Sequence, residues 1–283
     1  MKASAFDYVR ADTLDHALAL LAEHGPAAKL VAGGQSLLPA LNLRLSAPGV
    51  LIDIARIAAL RGITMADGVL RIGALTTYAD LMGSADIATH APLIAEALHH
   101  VAHPAIRSRG TIGGSLANAD PAAELPACVM ATNARLVLQS GRGVRTVAAD
   151  GFFTGLFETM LAEDEILTAV EIDAIGRARW GFQELARRSG DYAIVGLAAQ
   201  DHAGGPALAY FSVGARATLA RRAGAALAGG VDAASIEAAC AALADDLEPH
   251  SDLQATAQTR LHLAGVLLRR VVGAWAAPVR MAA

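Results

Sequence analysis

The segments Ala32-Gly33-Gly34-Gln35-Ser36 and Thr111-Ile112-Gly113-Gly114-Ser115 are the most informative stretches of this chain. Each follows an apolar or extended stretch and is predicted to open a helical turn. Because glycine has no Cβ, the backbone N–H groups of such a loop can approach an anion closely, and successive N–H groups form a concave anion site. Two such loops, brought together by the fold, would hold the two phosphates of a dinucleotide from opposite sides.

The second loop continues into a polar stretch, Leu116-Ala117-Asn118-Ala119-Asp120-Pro121-Ala122-Ala123-Glu124-Leu125-Pro126. Its amide and carboxylate groups suit the hydroxyl groups of a ribityl chain and a ribose. The sequence contains neither the G-x-x-x-x-G-K-[ST] motif of a P-loop nor a G-x-G-x-x-G motif after a strand. A flavin dinucleotide, held by a different architecture, is therefore the leading ligand.

The composition excludes several classes of protein. A net charge of −4 and a pI near 6.1 argue against a surface for nucleic acid or anionic membranes. No run of about 18 apolar residues occurs, so no transmembrane segment is predicted. The first residues lack the apolar region of a signal peptide and the chain has two cysteines, so a cytoplasmic location is expected. Cys128 and Cys240 cannot by themselves ligate an iron–sulfur cluster, so metal redox chemistry would belong to another chain.

Periodicity predicts two α/β sub-domains at about 1–56 and 57–174. In the first, helices at 13–24 and 37–45 alternate with strands at 30–31 and 50–54, as a β–α–β unit. In the second, the predicted elements are strands at 69–72 and 166–172, helices at 93–101 and 125–131, a capped helix start at 76–80, and a hairpin of 135–138 with 144–147.

A composition break at 173–179 marks a third module. Strands are predicted at 180–186, 193–199 and 207–213, and helices at 235–243 and 256–272. Strands followed by helices indicate an α+β module packed on one face of a sheet. The predicted division is therefore a first domain at 1–174 and a C-terminal domain at 175–283.

Three histidines near the end of a predicted helix form a candidate metal site. His99 and His103 lie one helical turn apart, with His100 between them. A zinc site would need a third protein ligand, and no H-E-x-x-H pattern occurs. Partly exposed histidines at a helix end are the favoured interpretation, and no metal site is predicted.

Ser36 and Ser115 do not form a hydrolase site, because neither lies in a G-x-S-x-G motif. Both are better placed to donate hydrogen bonds to phosphate oxygens. Tyr192 follows the charged turn Arg187-Arg188-Ser189-Gly190-Asp191. From spacing alone it is either a surface residue or a ring that stacks on a planar ligand.

At this point several motifs, taken in order, resemble the FAD-binding medium subunit of the molybdenum hydroxylases, the group of carbon-monoxide dehydrogenase and xanthine dehydrogenase. The resemblance extends over essentially the whole chain. The matching segments are Phe6-Asp7-Tyr8, the loop that begins at Ala32, Arg109-Gly110 with the loop that follows, Ala119 to Pro126, Gly190-Asp191-Tyr192-Ala193, and the last helix from Leu261. Gln35 and Ser115 depart from the histidine and asparagine of carbon-monoxide dehydrogenase, which argues against carbon monoxide as the substrate.

The resemblance implies an α+β protein, with an FAD-binding fold of the vanillyl-alcohol oxidase type followed by a C-terminal α+β domain of the CO dehydrogenase flavoprotein type. It assigns the two loops to the diphosphate, Asn118, Asp120 and Glu124 to the ribityl and ribose hydroxyls, the Leu167 backbone to the flavin ring, and Tyr192 to the face of the isoalloxazine. The complete set of expected FAD contacts is Val31, Ala32, Gly33, Gly34, Gln35, Ser36, Leu37, Gly110, Thr111, Ile112, Gly113, Gly114, Ser115, Asn118, Asp120, Glu124, Leu167 and Tyr192.

The resemblance also implies a role in electron transfer, with no catalytic residue on this chain. FAD would receive electrons from a small [2Fe-2S] subunit and pass them to an external acceptor, while a large subunit with the molybdenum cofactor hydroxylates the substrate. A dimer of such heterotrimers is expected. Two alternatives remain at this stage: a stand-alone flavin-dependent oxidoreductase of the same fold, and a non-enzymatic nucleotide-binding module.

Overall fold

Three short parallel strands form the first sheet, in the order β1-β3-β2. The computed structural model describes residues 2–275. The elements of this first part are β1 (Asp7–Arg10), α1 (Leu14–His24), β2 (Ala28–Val31), α2 (Leu37–Asn42) and β3 (Val50–Asp53). The predicted β–α–β unit is confirmed, and α1 is capped by the Thr13 side chain. Among these five elements, only β1 was not predicted, because three of its four residues are exposed and it shows no apolar alternation.

A five-stranded antiparallel sheet, in the order β4-β5-β10-β6-β7, forms the second part. Its elements are β4 (Ile63–Ala66), β5 (Val69–Gly73), α3 (Tyr78–Met82), α4 (Ala85–His90), α5 (Pro92–His100), α6 (Pro104–Arg107), α7 (Ile112–Asn118), α8 (Glu124–Ala131), β6 (Arg135–Ser140), β7 (Gly143–Ala148), β8 (Phe153–Gly155), β9 (Glu158–Thr159) and β10 (Ile166–Asp173). Ser140 pairs with Gly143, so the predicted β6–β7 hairpin closes in a two-residue turn. The predicted cap before α3 is a capping box of Thr77 and Asp80.

The third part is a four-stranded antiparallel sheet covered by helices. Its elements are β11 (Trp180–Leu185), β12 (Val195–Gln200), β13 (Ala207–Phe211), β14 (Thr218–Leu219), α9 (Arg221–Ala226), α10 (Ala233–Asp246) and α11 (Ala257–Trp275). All six residues of β12 are buried, and successive residues point to opposite faces. Leu197 packs with α10 and α11, whereas Ala198 belongs to the core of the second part.

Helix α8 joins the second and third parts. Its residues from Leu125 to Ala131 are all buried, with β12 and β13 packed against it. His202 Nε2 lies 2.8 Å from the carbonyl oxygen of Ala131, and Arg216 donates to the carbonyl oxygen of Phe153 at 2.7 Å. The third part is therefore held firmly on the second. None of the helices within residues 2–275 has the length and apolar character needed to cross a membrane.

Gly196 should be one of the most sensitive positions of the third part. A Cβ there would lie 1.9 Å from Cζ of Phe211, whose side chain is fully buried. We expect Gly196→Ala to lower the free energy of unfolding by about 1–3 kcal/mol, because the core must move to admit the methyl group. Urea denaturation measures the change.

The matched control is Gly273→Ala in α11, where a Cβ would meet no described atom within 4 Å. Alanine is the better helix former, so this variant should be about 0.5–1 kcal/mol more stable than the parent chain. Equal stability of Gly196→Ala and the parent would show that the space around Phe211 is larger than the structure indicates.

Candidate functional site

The two glycine loops lie side by side. A Cβ built on Gly33 would lie 2.0 Å from the carbonyl oxygen of Arg109 and 3.1 Å from the Cα of Gly110. A Cβ on Gly114 would lie 3.7 Å from the Cβ of Ala32. Backbones can approach this closely only where a side chain is missing. The fold thus joins two loops that are far apart in the sequence.

The first loop presents backbone donors. Gly34 has a left-handed φ of 72°, and the Gln35 side chain donates to the carbonyl oxygen of Gly33 at 2.9 Å. Across residues 2–275, the N–H groups of residues 33–36 find no protein acceptor. The loop is at least partly exposed, so these donors are available to an anion.

Four of the five N–H groups of the second loop, those of residues 112–115, are used inside the protein, which the sequence did not predict. The bonds are Ile112 N to Thr76 O at 3.1 Å, Gly113 N to Ala74 O at 2.8 Å, Gly114 N to Thr111 Oγ1 at 3.1 Å and Ser115 N to Thr111 O at 3.0 Å. The reason is that α7 begins at Ile112, so Thr111 caps its first turn. The second loop therefore offers a close backbone surface, the Ser115 hydroxyl and, among the described residues, one N–H group without a protein acceptor, that of Thr111.

Leu167 lies next to an irregularity of β10. The pairing of β10 with β6 shifts register between Leu167 and Ala169, and the carbonyl oxygen of Thr168 accepts from the N–H of Ala74 at 2.9 Å. Ala74 in turn accepts from Gly113, so this part of β10 is tied to the second loop. The Leu167 side chain is buried, so a contact with a ligand would be made by its backbone.

Asp120 and Tyr192 meet across the boundary between the second and third parts. Helix α7 ends at Asn118, and Ala119 takes a left-handed φ of 49°, which turns the chain toward Asp120. The Tyr192 hydroxyl donates to Asp120 Oδ2 at 3.1 Å, while Asp120 Oδ1 accepts from the N–H of Ala122. Partial burial and the charge of Asp120 raise the pKa of Tyr192 to about 12.

As a residue, Tyr192 stays 63% exposed. An exposed aromatic ring fixed at its hydroxyl is a ready surface for a planar ligand. Tyr192 is thus exposed, as the first of the two interpretations left open by the sequence has it, and its stacking on a ligand stays a prediction.

A second cluster of charged groups connects α5, α8 and β11. Burial raises the pKa of Glu124 to about 7, and the negative charge of Glu184 adds to the shift. The Glu184 side chain is only 5% exposed, with Oε1 at 3.5 Å from His100 Nδ1. Glu184 Oε2 is buried and has no partner among the described residues.

His100 differs from its two neighbours in the predicted histidine cluster. His99 and His103 are exposed, as expected, whereas the ring of His100 packs against Phe182 with centroids 5.0 Å apart. The neighbouring Glu184 carboxylate raises the pKa of His100. Reasoning from the sequence missed this pair, because nothing in the spacing connects α5 to β11. Residues 2–275 contain no group of three or more His, Cys, Asp or Glu side chains that could hold a metal.

Comparisons with known proteins show which family the chain is similar to. A family model described as the FAD binding domain in molybdopterin dehydrogenase matches residues 4–173, and one described as the CO dehydrogenase flavoprotein C-terminal domain matches residues 180–274. The chain is 37% identical over 279 residues to the carbon monoxide dehydrogenase medium chain of Hydrogenophaga pseudoflava, covering 96% of this chain and 97% of the relative.

A second relative and a solved structure are also similar. Over 199 residues the chain is 45% identical to the 6-hydroxypseudooxynicotine dehydrogenase complex subunit alpha of Paenarthrobacter nicotinovorans, covering 70% of this chain and 67% of the relative. A solved structure of carbon monoxide dehydrogenase from Hydrogenophaga pseudoflava, which lacks the Mo-pyranopterin moiety of the molybdenum cofactor, matches with a TM-score of 0.94 and 38% identity. That match covers 98% of this chain and 99% of the other.

These findings confirm the resemblance seen in the sequence, and with it an FAD-binding domain followed by a CO dehydrogenase flavoprotein C-terminal domain. They also confirm FAD as the cofactor and an oxidoreductase subunit as the class of protein. The chain therefore belongs to the FAD-binding medium subunits of the molybdenum hydroxylase family, of the carbon monoxide dehydrogenase and xanthine dehydrogenase type.

Proposed function

We propose that this chain passes electrons from the [2Fe-2S] clusters of a small partner subunit to an external acceptor. A large subunit with the molybdenum cofactor would oxidise the substrate. The observation that carries this proposal is the nearly full-length match to a medium chain of carbon monoxide dehydrogenase. Cys128 and Cys240 cannot ligate an iron–sulfur cluster by themselves, which supports electron delivery from another chain.

The residues present fit an FAD molecule. Free N–H donors at 33–36 suit its diphosphate, and the loop 110–115 closes the other side with the Ser115 hydroxyl. The side chains of Asn118, Asp120 and Glu124 would accept from ribityl and ribose hydroxyls. Bound FAD supplies the ability to accept electrons singly and to deliver them in pairs.

The chain's own residues would orient the flavin. The backbone at Leu167 would contact the edge of the ring, and Tyr192 would cover one face while Asp120 holds its hydroxyl. We assign no catalytic residue to this chain. The substrate pocket would lie on the molybdenum subunit, so the relatives' differing substrates do not identify the substrate here.

The remaining parts of the proposal concern organisation. We propose domain limits at 1–174 and 175–283, supported by the change from one sheet to the next after β10 (the last eight residues lie outside the described range). We also propose a dimer of heterotrimers in the cytoplasm, in line with the two free thiols.

The proposal is tested by reconstituting the chain with FAD and adding its partners stepwise. We expect one FAD per chain, released by acid precipitation because no covalent link forms. N-heterocycles, aldehydes or carbon monoxide should not bleach the flavin of the isolated chain, whereas dithionite should. After the iron–sulfur and molybdenum subunits are added, the substrate of the complete enzyme should bleach the flavin. Rapid bleaching of the isolated chain by such a substrate would instead identify a stand-alone oxidoreductase, and failure to retain FAD would refute the proposal.

A further inference from the structure

A buried arginine lies behind the Tyr192–Asp120 contact. Arg260, in the first turn of α11, has a side chain that is only 3% exposed. Its Nη1 donates to the carbonyl oxygens of Ile194 and, at 2.7 Å, of Ser212. Its Nη2 donates to Asp252 Oδ2 at 2.6 Å. One guanidinium group therefore joins three segments of the third part.

Two of these segments lead directly to the candidate FAD site. Ile194 lies two residues after Tyr192 in the loop that enters β12. Ser212 donates its N–H to the carbonyl oxygen of Pro121 at 2.8 Å, and Pro121 follows Asp120. Arg260 thus holds the backbone on both sides of the hydrogen bond from Tyr192 to Asp120.

The arrangement has features that simple packing would avoid. Arg260 Nε and Ser212 Oγ are both buried without a partner among the described residues. Ser212 also has a left-handed φ of 61°, which costs conformational energy for a residue with a Cβ. A buried charge is seldom better for stability than an apolar side chain of similar volume. These costs indicate that Arg260 serves to fix the relative positions of the segments that it joins.

Asp252 keeps the guanidinium in place. Its Oδ1 accepts from the N–H groups of Gln254 at 2.8 Å and Ala255 at 3.0 Å. These backbone bonds, together with Arg260, lower the pKa of Asp252 to about 2. Asp252 therefore stays charged at neutral pH and fixes the orientation of Arg260.

We propose that Arg260 is a positioning residue, which holds the Tyr192 ring against the flavin by fixing Ile194 and Ser212 relative to Asp120. This inference rests on the proposed function, because it assumes that Tyr192 covers the isoalloxazine. Arg260 itself touches neither Tyr192 nor the ligand. It acts through the backbone of the two segments.

A double-mutant cycle on the full chain tests the proposal. FAD affinity and the quenching of bound-flavin fluorescence are measured for Arg260→Met, Tyr192→Ala and the double variant. We expect each single variant to weaken FAD binding about tenfold, the value of one aromatic contact, and to raise the fluorescence of bound flavin. In the Tyr192→Ala background, Arg260→Met should change the affinity less than about twofold, because residues that act through one contact are not additive.

Two further variants serve as a negative control and as a milder test of Arg260. Arg269 lies on the same helix as Arg260 and forms an exposed ion pair with Glu237 of α10. Arg269→Met removes this ion pair and should leave FAD binding unchanged. Asp252→Asn loosens Arg260 without removing it and should show the same non-additive pattern with a smaller loss, even if Arg260→Met does not fold. Additive losses in the cycle would overturn the proposal and leave Arg260 a stabilising residue only. A parent chain that binds no FAD would instead refute the proposed function.

Discussion

Gly33→Ala should abolish the retention of FAD during purification. The new Cβ would lie 2.0 Å from the carbonyl oxygen of Arg109 and 2.8 Å from its carbonyl carbon. Both atoms belong to the backbone, so no side-chain rotation can relieve the clash and the two loops must separate. We expect FAD affinity to fall at least about 100-fold, or about 3 kcal/mol, as measured by titration of the apoprotein.

Gly49→Ala is the matched control for this variant. A Cβ at Gly49 would meet the Cβ of Ala27 at 3.5 Å, an ordinary contact, and we expect normal FAD binding. Gly114→Ala should have an intermediate effect, because its Cβ would lie 2.8 Å from Thr111 Oγ1, a side chain that can move only by giving up its cap on α7. Full FAD occupancy in Gly33→Ala would show that the loop junction is not part of the cofactor site.

Glu124→Gln should make the apoprotein more stable at pH 8 but not at pH 5. Burial raises the pKa of Glu124 from its ordinary value of 4.5 to about 7. The folded chain therefore binds a proton more tightly than the unfolded chain, and this group's contribution to stability is lost as pH rises from about 4.5 to 7. The shift corresponds to about 3 kcal/mol, so the variant should gain up to that amount above pH 7. Urea denaturation across pH measures the difference.

Glu237→Gln provides a control of opposite sign. Glu237 is exposed, and its hydrogen bond to Arg269 lowers the pKa of its carboxyl. Its contribution to stability is present above the unfolded pKa and is lost on acidification, so this variant should gain nothing at pH 8. A Glu124→Gln variant with the same pH dependence as the parent would mean that Glu124 is solvated in the folded chain.

Local patterns predicted most of the regular elements. The helical spacing of the apolar residues in α1, the capping signal at Thr77 and the alternation in β5 are set by residues close together in sequence, so local patterns detect them. Elements without such a pattern were missed, namely β1, β4, α4, α6, the β8–β9 hairpin, β14 and α9. These elements are short, and contacts with distant segments stabilise them.

The candidate site likewise has features that the sequence predicted and features that it did not. The glycines, the polar run after them and Tyr192 could be recognised from the sequence, because each is a local motif with a chemical meaning. The contacts between these residues and distant segments could not be recognised from the sequence. The junction of Gly33 with Arg109, the bond from Tyr192 to Asp120, and the position of Arg260 behind it all join residues that are distant in the chain.

By itself the sequence determined the family, the order of the two domains' motifs and the choice of FAD, because these depend on which residues occur and in what order. Only the tertiary structure decided that the N–H groups of residues 33–36 stay free while those of residues 112–115 are used within α7 and its neighbours. It also decided that Glu124, Glu184 and His100, which are distant in the chain, come near one another with partial burial. Burial and hydrogen bonding are properties of the packed chain, since they depend on which distant groups exclude water from one another.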